Sequence, residues 1–515
     1  MDLNAKINFK NEIGSFTHFW EMGFGSERPF MVLREENILE HYKLGVEELG
    51  FKYVRAHGIF HDDINVIFEI FDWQNNKKVN LYNWRTIDAI YDKILQIGLK
   101  PFVELSFMPR PLASGDKTIF YWNGNITLPK DFAEWCDLVN NFIKHLIDRY
   151  GLDEVRQWYF EVWNEPNLTC FFDGSQEDYF KLYDYTAITI KKIDNQLKVG
   201  GPSTAKGGWI EAFLKHCFEE ENYATKEIGS PVDFVSYHGY PTDVAFYTGV
   251  EKINFEEIDY WQQMSKMNKE IVKKYEEKYG KKIEIHVTEW NSSANVRDLR
   301  HEDSNQAAFI CKSVFDVENN VDSFYYWTLS DIFEEMGWPD SEFHGGFGLI
   351  TINGVKKPAY NAFKMLRMLG NKRIDASIKD KPENIGIVAT KEENKYQILL
   401  WNYIPPISGM EEYDKLYDMD KAINCKFSIE IDGLENSKYT LKKYLIDDYH
   451  SNSFTKWNEL GKPKAPTQEQ LDILKQSMDL DLVSLNKGLF VNENKLNLEF
   501  ELNPASVVFI ELEKK

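Results

Sequence analysis

From about residue 15 to about 370, short runs of β-branched and aromatic residues alternate with longer stretches whose apolar positions recur every three or four residues. The first pattern suits strands buried on both faces and the second amphipathic helices, so the alternation predicts a parallel sheet covered by helices. The predicted strands are 17–20, 53–55, 101–105, 159–163, 198–201, 234–238, 283–288 and 323–327. The predicted helices are 38–48, 84–98, 131–149, 177–196, 208–220, 255–279, 304–320 and 358–369; Phe180, Tyr183, Ala187 and Ile190 share one helical face. Eight βα units in one stretch point to the α/β class and a (β/α)8 TIM barrel rather than an open doubly wound sheet.

After Gly370 the pattern changes. Segments 385–390, 395–402, 425–431, 439–445, 496–502 and 505–512 read as strands joined by polar turns, and only 467–478 looks helical. This predicts a C-terminal antiparallel β-sandwich. Residues 5–10 alternate too, which predicts an edge strand added to that sandwich. The expected division is an N-terminal strand within 1–14, a barrel over 15–370 and an accessory sandwich over 371–515. With no Gly/Ser-rich linker between them, the two larger units are expected to be docked.

Composition narrows the partners. A net charge of −22 repels a phosphate backbone, and no Lys/Arg stripe offsets it locally, so nucleic acid is not an expected partner. The first ten residues lack the apolar stretch of a secretory signal, and no later run is long enough to span a bilayer. A cytoplasmic protein without a membrane partner is expected. The five cysteines are scattered, odd in number and without CxxC spacing, which argues against a disulfide framework or a zinc site. The acidic pairs Asp62-Asp63 and Glu334-Glu335 read as solvated or ligand-contacting, so neither a metal nor another cofactor is expected.

In a (β/α)8 barrel the reactive groups sit at the C-terminal ends of the strands. Those ends are polar here: Arg55 and His57, Glu104, Asn164 and Glu165, His238 and Tyr240, Glu289, then Trp327 and Asp331. Glu165 and Glu289 each terminate an apolar run, three βα units apart, and should face each other across the barrel mouth. Cleaving an acetal needs one carboxylic acid to protonate the leaving oxygen and one carboxylate on the opposite face of the ring. A lone strand-end carboxylate is more simply a salt-bridge partner, and Glu161 and Glu104 keep that reading as partners of Arg55.

The segments Tyr53-Val54-Arg55-Ala56-His57-Gly58, Trp163-Asn164-Glu165-Pro166-Asn167 and Phe343-His344-Gly345-Gly346-Phe347-Gly348-Leu349 resemble glycoside hydrolase family 39, and within it the bacterial β-xylosidase branch. The likeness runs almost end to end. It implies Glu165 as acid/base, Glu289 as nucleophile, and Asn164 as a partner of the sugar 2-hydroxyl. It implies further that His57, His238 and Tyr240 line the same subsite, that Trp327 is an aromatic platform, and that Glu334 or Glu335 lies near sugar hydroxyls. Two segments depart from the family: Ser236-Tyr237-His238-Gly239-Tyr240-Pro241 stands where Arg-His-Ala-Tyr is usual, and Trp290 follows Glu289 where a Tyr is common. Both changes are expected beside the sugar-binding subsite, where they bear on substrate preference.

The resemblance implies a retaining exo-glycosidase acting on β-D-xylosides and xylooligosaccharides from the non-reducing end. An α-L-arabinopyranoside or β-glucoside fits the same chemistry. An α-L-iduronide is disfavoured, because Asp331, Glu334 and Glu335 would repel a uronate. A non-catalytic glycan-binding protein would be marked by loss of one carboxylate, and both are present. The accessory unit suggests interdomain support or contacts in a homo-oligomer.

Overall fold

The computed structural model describes residues 1–243, 254–255, 258–407 and 417–515. Eight parallel strands close into a barrel: Gly23–Ser26, Tyr53–Ala56, Lys100–Leu105, Tyr159–Val162, Lys198–Ala205, Phe234–Gly239, Glu284–Trp290 and Ser323–Trp327. These are called the first to eighth barrel strands below. Helices follow most of them, and side-chain caps fix several starts. Asp131 accepts from Ala133 N at the head of Phe132–Tyr150, and Ser175 with Asp178 forms a reciprocal capping box at Gln176–Ile193.

The first strand is not at 17–20. Phe19–Met22 forms a single 3-10 turn with Trp20 fully buried, and the barrel begins at Gly23-Phe24-Gly25-Ser26. The reason is steric. A Cβ on Gly23 would lie 2.2 Å from the Tyr325 ring, and one on Gly25 would lie 2.2 Å from the Trp327 ring. The eighth strand's aromatics fill the space that the first strand's side chains would need, so this strand carries little apolar signal.

Nine further strands form one sheet, and among the described residues three short two-stranded sheets lie apart from it. The nine-stranded sheet includes two strands that the hydrophobic pattern did not mark, Lys372–Ile378 and Asp481–Phe490. The N-terminal strand Asp2–Ser15 lies inside this sheet and not at its edge. It pairs antiparallel with Lys372–Ile378 and parallel with Cys425–Asp432, the one parallel pairing in an otherwise antiparallel sheet. An interior place suits its alternation, since Leu3, Ala5, Ile7 and Phe9 are buried on one face. The sheet curls so that Phe9 meets Tyr396 from a distant strand, ring centroids 4.9 Å apart, over a shared aliphatic core.

This sheet is docked on the barrel. Asn305, in helix Ser304–Asp316, donates to Ile404 O and accepts from Ile404 N, both at 2.8 Å, and Phe315 stacks on Trp401 at 5.4 Å. On the other side Lys356 reaches Asp479 at 2.9 Å.

Candidate active site

The barrel interior is layered. At the bottom Phe102, Tyr159, Phe234 and Tyr325 pack together as an aromatic plug. Two residues further along the third and fourth strands, the inward positions become Glu104 and Glu161, both fully buried. Period-two alternation makes this a polar layer above the plug. Arg55 from the second strand sits among them. Its Nε donates to Glu161 (2.6 Å), one terminal nitrogen to Glu289 (2.7 Å), and the other lies 2.8 Å from Glu104 and donates to Asn164 Oδ1 at 2.9 Å. Burial alone would raise Glu104, but His57 and Arg55 hold it below the ordinary carboxylate value.

Above this layer stand Glu165 and Glu289. The chain leaves the fourth strand through two non-glycine residues in the left-handed region, Trp163 at φ 71° and Glu165 at φ 42°. Such geometry costs on the order of 1–3 kcal/mol per residue and persists only where neighbours impose it. Here Trp163 Nε1 donates to Phe171 O at 2.8 Å, and Glu165 N donates to Ser203 O at 2.8 Å. On the seventh strand the pairing register shifts on both sides between Val287 and Trp290. A local break of this kind re-aims side chains, and consecutive residues Thr288 and Glu289 both reach the interior.

One oxygen each of Glu165 and Glu289 and a ring nitrogen of His238 lie within 4.8 Å of one another. His238 Nδ1 is 2.9 Å from Glu165 Oε1 and 3.5 Å from Glu289 Oε2. Glu289 Oε2 also accepts from the Tyr240 hydroxyl at 2.9 Å. Burial raises Glu289 above its ordinary value, with Arg55, His57 and Tyr240 opposing the rise. Burial, then Arg55 and His57, push His238 well below the usual histidine range, so its ring is neutral.

Two hydroxyls, those of Thr288 and Ser203, meet His238 Nε2. The Thr288 hydroxyl donates to Glu161 at 3.0 Å, so its oxygen is left to accept from His238 Nε2 at 3.1 Å. With its hydrogen on Nε2 the neutral imidazole presents a lone pair at Nδ1, and with Ser203 donating to Nε2 it presents an N–H there instead.

The expected neighbours fall around this pair. His57 Nδ1 is 2.7 Å from Glu104, and its Nε2 faces Glu289 at 3.5 Å and Glu335 at 3.6 Å. Trp327 packs against His57 at 4.6 Å and shares a cluster with Tyr240, Phe333 and Phe347. The adjacent glutamates separate. Glu335 enters the cluster, while Glu334 is clamped by Arg28 and by Arg34, whose two terminal nitrogens donate at 2.8 and 2.6 Å. Asp331 faces the Lys357 ammonium at 2.7 Å. That buried lysine also bonds Glu302 and Gly346 O, tying down the glycine loop that carries Phe347 to Trp327 and Tyr240. The acidic pair at 62–63 is also ion-paired, Asp62 with Arg110 and Asp63 with Arg28.

Sequence reasoning missed Glu27, which follows the unrecognised first strand. It accepts from Trp122 Nε1 at 2.8 Å, and burial outweighs Arg28 to push its carboxyl up to about 8. Ser203, 3.1 Å from His238 Nε2, was missed as well. Burial, reinforced by Glu27, Glu289 and Glu165, lifts Glu335 well above the carboxylate range.

Three residues are not where they were expected. Trp290 stacks on Phe324 at 4.0 Å, and a Cβ on Gly239 would lie 2.4 Å from Trp261. Tyr237, too, is fully buried. Trp290 and Gly239 thus face the helix layer outside the barrel wall, because strand alternation turns them away when His238 and Glu289 face inward. Their departures from the family pattern adjust packing, not the pocket.

Arg55 is the fixed cation of this layer, so replacing it leaves Glu104, Glu161 and Glu289 buried without a counter-charge. Arg55→Met is expected to cost about 3–5 kcal/mol of stability at neutral pH, read as a lower barrel transition in calorimetry. Glu104, held below its ordinary value, contributes stability at neutral pH that is lost as pH falls through the lowered value. The Arg55→Met deficit should therefore shrink on acidification, and a deficit independent of pH would contradict the electrostatic account.

Comparison with known proteins agrees with this geometry. The chain is 38% identical to a beta-xylosidase of Caldicellulosiruptor saccharolyticus over 99% of this chain and 98% of that one. It is 33% identical to a beta-xylosidase of Geobacillus stearothermophilus over 97% of this chain and 93% of that protein. Among solved structures, a monomeric beta-xylosidase from Caulobacter crescentus CB15 superposes with a TM-score of 0.87 at 32% identity, covering 99% of both chains. The family described as Glycosyl hydrolases family 39 matches residues 3–481, and the chain belongs to that family of glycosidases.

Proposed function

We propose that the protein is a retaining exo-β-xylosidase in which Glu289 is the nucleophile and Glu165 the acid/base. The observation that carries this reading is the approach of the two carboxyl groups to within 4.8 Å. Retaining glycosidases hold their pair roughly 5–5.5 Å apart, whereas inverting ones need about 6.5–9.5 Å to admit a water. In the first step Glu289 attacks the anomeric carbon, the glycosidic C–O bond breaks, and Glu165 gives its proton to the leaving oxygen. In the second, Glu165 takes a proton from water, whose oxygen attacks the anomeric carbon from the face that the leaving group vacated and displaces Glu289 as a carboxylate.

The two glutamates differ in their hydrogen-bond partners. Glu289 receives hydrogens from Arg55 and Tyr240, which favour a carboxylate. In the tautomer with its hydrogen on Nε2, His238 presents an Nδ1 lone pair to Glu165, which favours a carboxylic acid. Asn164 has its carbonyl occupied by Arg55, which leaves its amide nitrogen as the group to donate to the sugar 2-hydroxyl. Glu335 Oε1 has no hydrogen-bond partner among the described residues, which suits a contact with hydroxyls at the non-reducing end. Glu335 lies 3.6 Å from His57, which packs on Trp327, and this grouping supports a subsite bounded on one side, as exo action needs.

β-D-Xylosides are favoured by the relatives that match end to end. A uronate is disfavoured, since Arg28, Arg34 and Arg55 are each already ion-paired. We further propose 15–370 as the catalytic unit, 371–515 as its accessory, 1–14 as the strand joining them, and the cytoplasm as the place of action on short oligomers. Comparison of kcat/KM across aryl β-xyloside, β-glucoside, α-L-arabinopyranoside and α-L-iduronide tests the sugar. The β-xyloside is expected to lead the β-glucoside by roughly 10- to 200-fold, the discrimination one extra small group allows. A β-glucoside turned over equally well would overturn the assignment, and binding without turnover of any substrate would favour a glycan-binding role.

A further inference from the structure

Glu27, just after the first barrel strand, and Glu335, in the loop after the eighth, are both buried, and neither forms an ion pair with an arginine or lysine among the described residues. Their surroundings interlock. Two adjacent residues hold one each: Tyr121 N donates to Glu335 O at 2.7 Å, and the Trp122 ring donates to Glu27 Oε1 at 2.8 Å. His57 reaches both, its backbone N–H donating to Glu27 O at 2.7 Å and its Nε2 lying 3.6 Å from Glu335 Oε1. The Glu27 carboxyl also faces the backbone of Glu334, the residue before Glu335.

One oxygen of each carboxyl, Glu27 Oε2 and Glu335 Oε1, is buried without a hydrogen-bond partner among the described residues. Nearby cations are committed elsewhere: Arg28 to Asp63 and Glu334, Arg34 to Glu334 and Glu35, and Arg55 to Glu104, Glu161 and Glu289. His57 turns its Nδ1 to Glu104. Two neighbouring carboxyls without a counter-charge keep a proton between them, because ionising both sets like charges side by side. The titration agrees. Burial, opposed by Arg28, pushes Glu27 up to about 8, and burial followed by the charges of Glu27, Glu289 and Glu165 lifts Glu335.

We propose that Glu27 is a positioning residue for sugar binding, which shares a proton with Glu335 and so fixes that carboxyl where the sugar meets it. Glu27 itself, 1% exposed, acts through Glu335 and not by contact. Each carboxylate oxygen can accept two hydrogens, so Glu335 takes one from Glu27 and still meets sugar hydroxyls. The proposal rests on the reading of Glu335 as a sugar contact. While the pair holds its proton the subsite stays formed; once the proton is lost, the two like charges repel and Glu335 is displaced.

Calorimetric binding of xylose against pH, together with kcat and KM on an aryl β-xyloside, tests this. Glu27→Ala is expected to raise KM and the xylose Kd roughly tenfold, the scale of one lost hydrogen bond, with kcat within a few-fold of the parent. Glu27→Gln should restore affinity at neutral pH, because its amide still donates to Glu335 and cannot ionise. The parent's affinity should fall as pH rises through about 8, and in Glu27→Gln that fall should vanish. In a Glu335→Ala background Glu27→Ala should add no further loss. Equal losses with and without Glu335, or an alkaline fall that survives Glu27→Gln, would overturn the proposal. A second readout needs no sugar. A carboxyl raised in the folded chain stabilises it at low pH, and that stability is lost as pH rises from the ordinary carboxylate value to about 8. Glu27→Gln should therefore lessen the fall in Tm over this window, and an unchanged slope would overturn the shared proton. An unaltered KM in Glu335→Ala would instead remove Glu335 as a sugar contact, and with it the positioning role of Glu27.

Discussion

Glu289→Gly is expected to lower kcat on xylobiose and on aryl xylosides by on the order of 10⁵-fold or more, the scale seen when a nucleophile is deleted from an otherwise intact site. KM should change little, since the proposed sugar contacts His57, Asn164, Tyr240 and Trp327 remain. The fold should persist too, because Arg55 keeps Glu104 and Glu161 as partners at 2.8 and 2.6 Å after Glu289 is gone. Circular dichroism together with kcat and KM checks this. In the parent enzyme burial raises Glu289, and the proposed mechanism needs its ionised form. The rate should therefore fall as pH drops through a value above the ordinary carboxylate range, and this acid limb should vanish from the residual activity of the variant.

Glu165→Ala should give a loss that depends on the leaving group. With xylobiose the departing alcohol needs a proton, and kcat/KM should fall by roughly 10²- to 10⁴-fold, the usual contribution of a positioned general acid. With a dinitrophenyl xyloside, whose phenolate leaves unaided, kcat/KM should stay within a few-fold of the parent. The glycosyl-enzyme would then accumulate, because the same residue serves as base in the second step, and kcat should drop for both substrates. Equal losses of kcat/KM on the two would contradict the acid role. The alternative reading of Glu165 as a structural partner of His238 predicts such equal losses.

The meeting of Glu165 and Glu289 was legible in the sequence because each interrupts an apolar run at the end of a barrel strand. Arg55 was legible as a partner of Glu104 and Glu161, but not of Glu289. That contact depends on a register break in the seventh strand, and a break leaves no mark in hydrophobic alternation. The same break defeated the placing of Trp290, which the strand turns outward. Glu27 stayed hidden because its strand is built from glycines that make room for Tyr325 and Trp327. Adjacent glutamates in a loop carry no periodicity, so only the structure could send Glu334 to the arginines and Glu335 to the pocket. In the accessory sheet, Asp481–Phe490 escaped notice because exposure on both faces removes the alternation by which strands are read, while the interior N-terminal strand kept it.

The most direct test of the central claim is the configuration of the azide adduct formed by Glu289→Gly. Azide can enter the space the carboxylate vacated and attack the anomeric carbon of an activated β-xyloside from that face. Proton NMR of the product is expected to show the α-xylosyl azide, with turnover restored in proportion to azide concentration. A β-xylosyl azide, or no rescue in a variant that still binds the substrate, would contradict Glu289 as the nucleophile of a retaining enzyme.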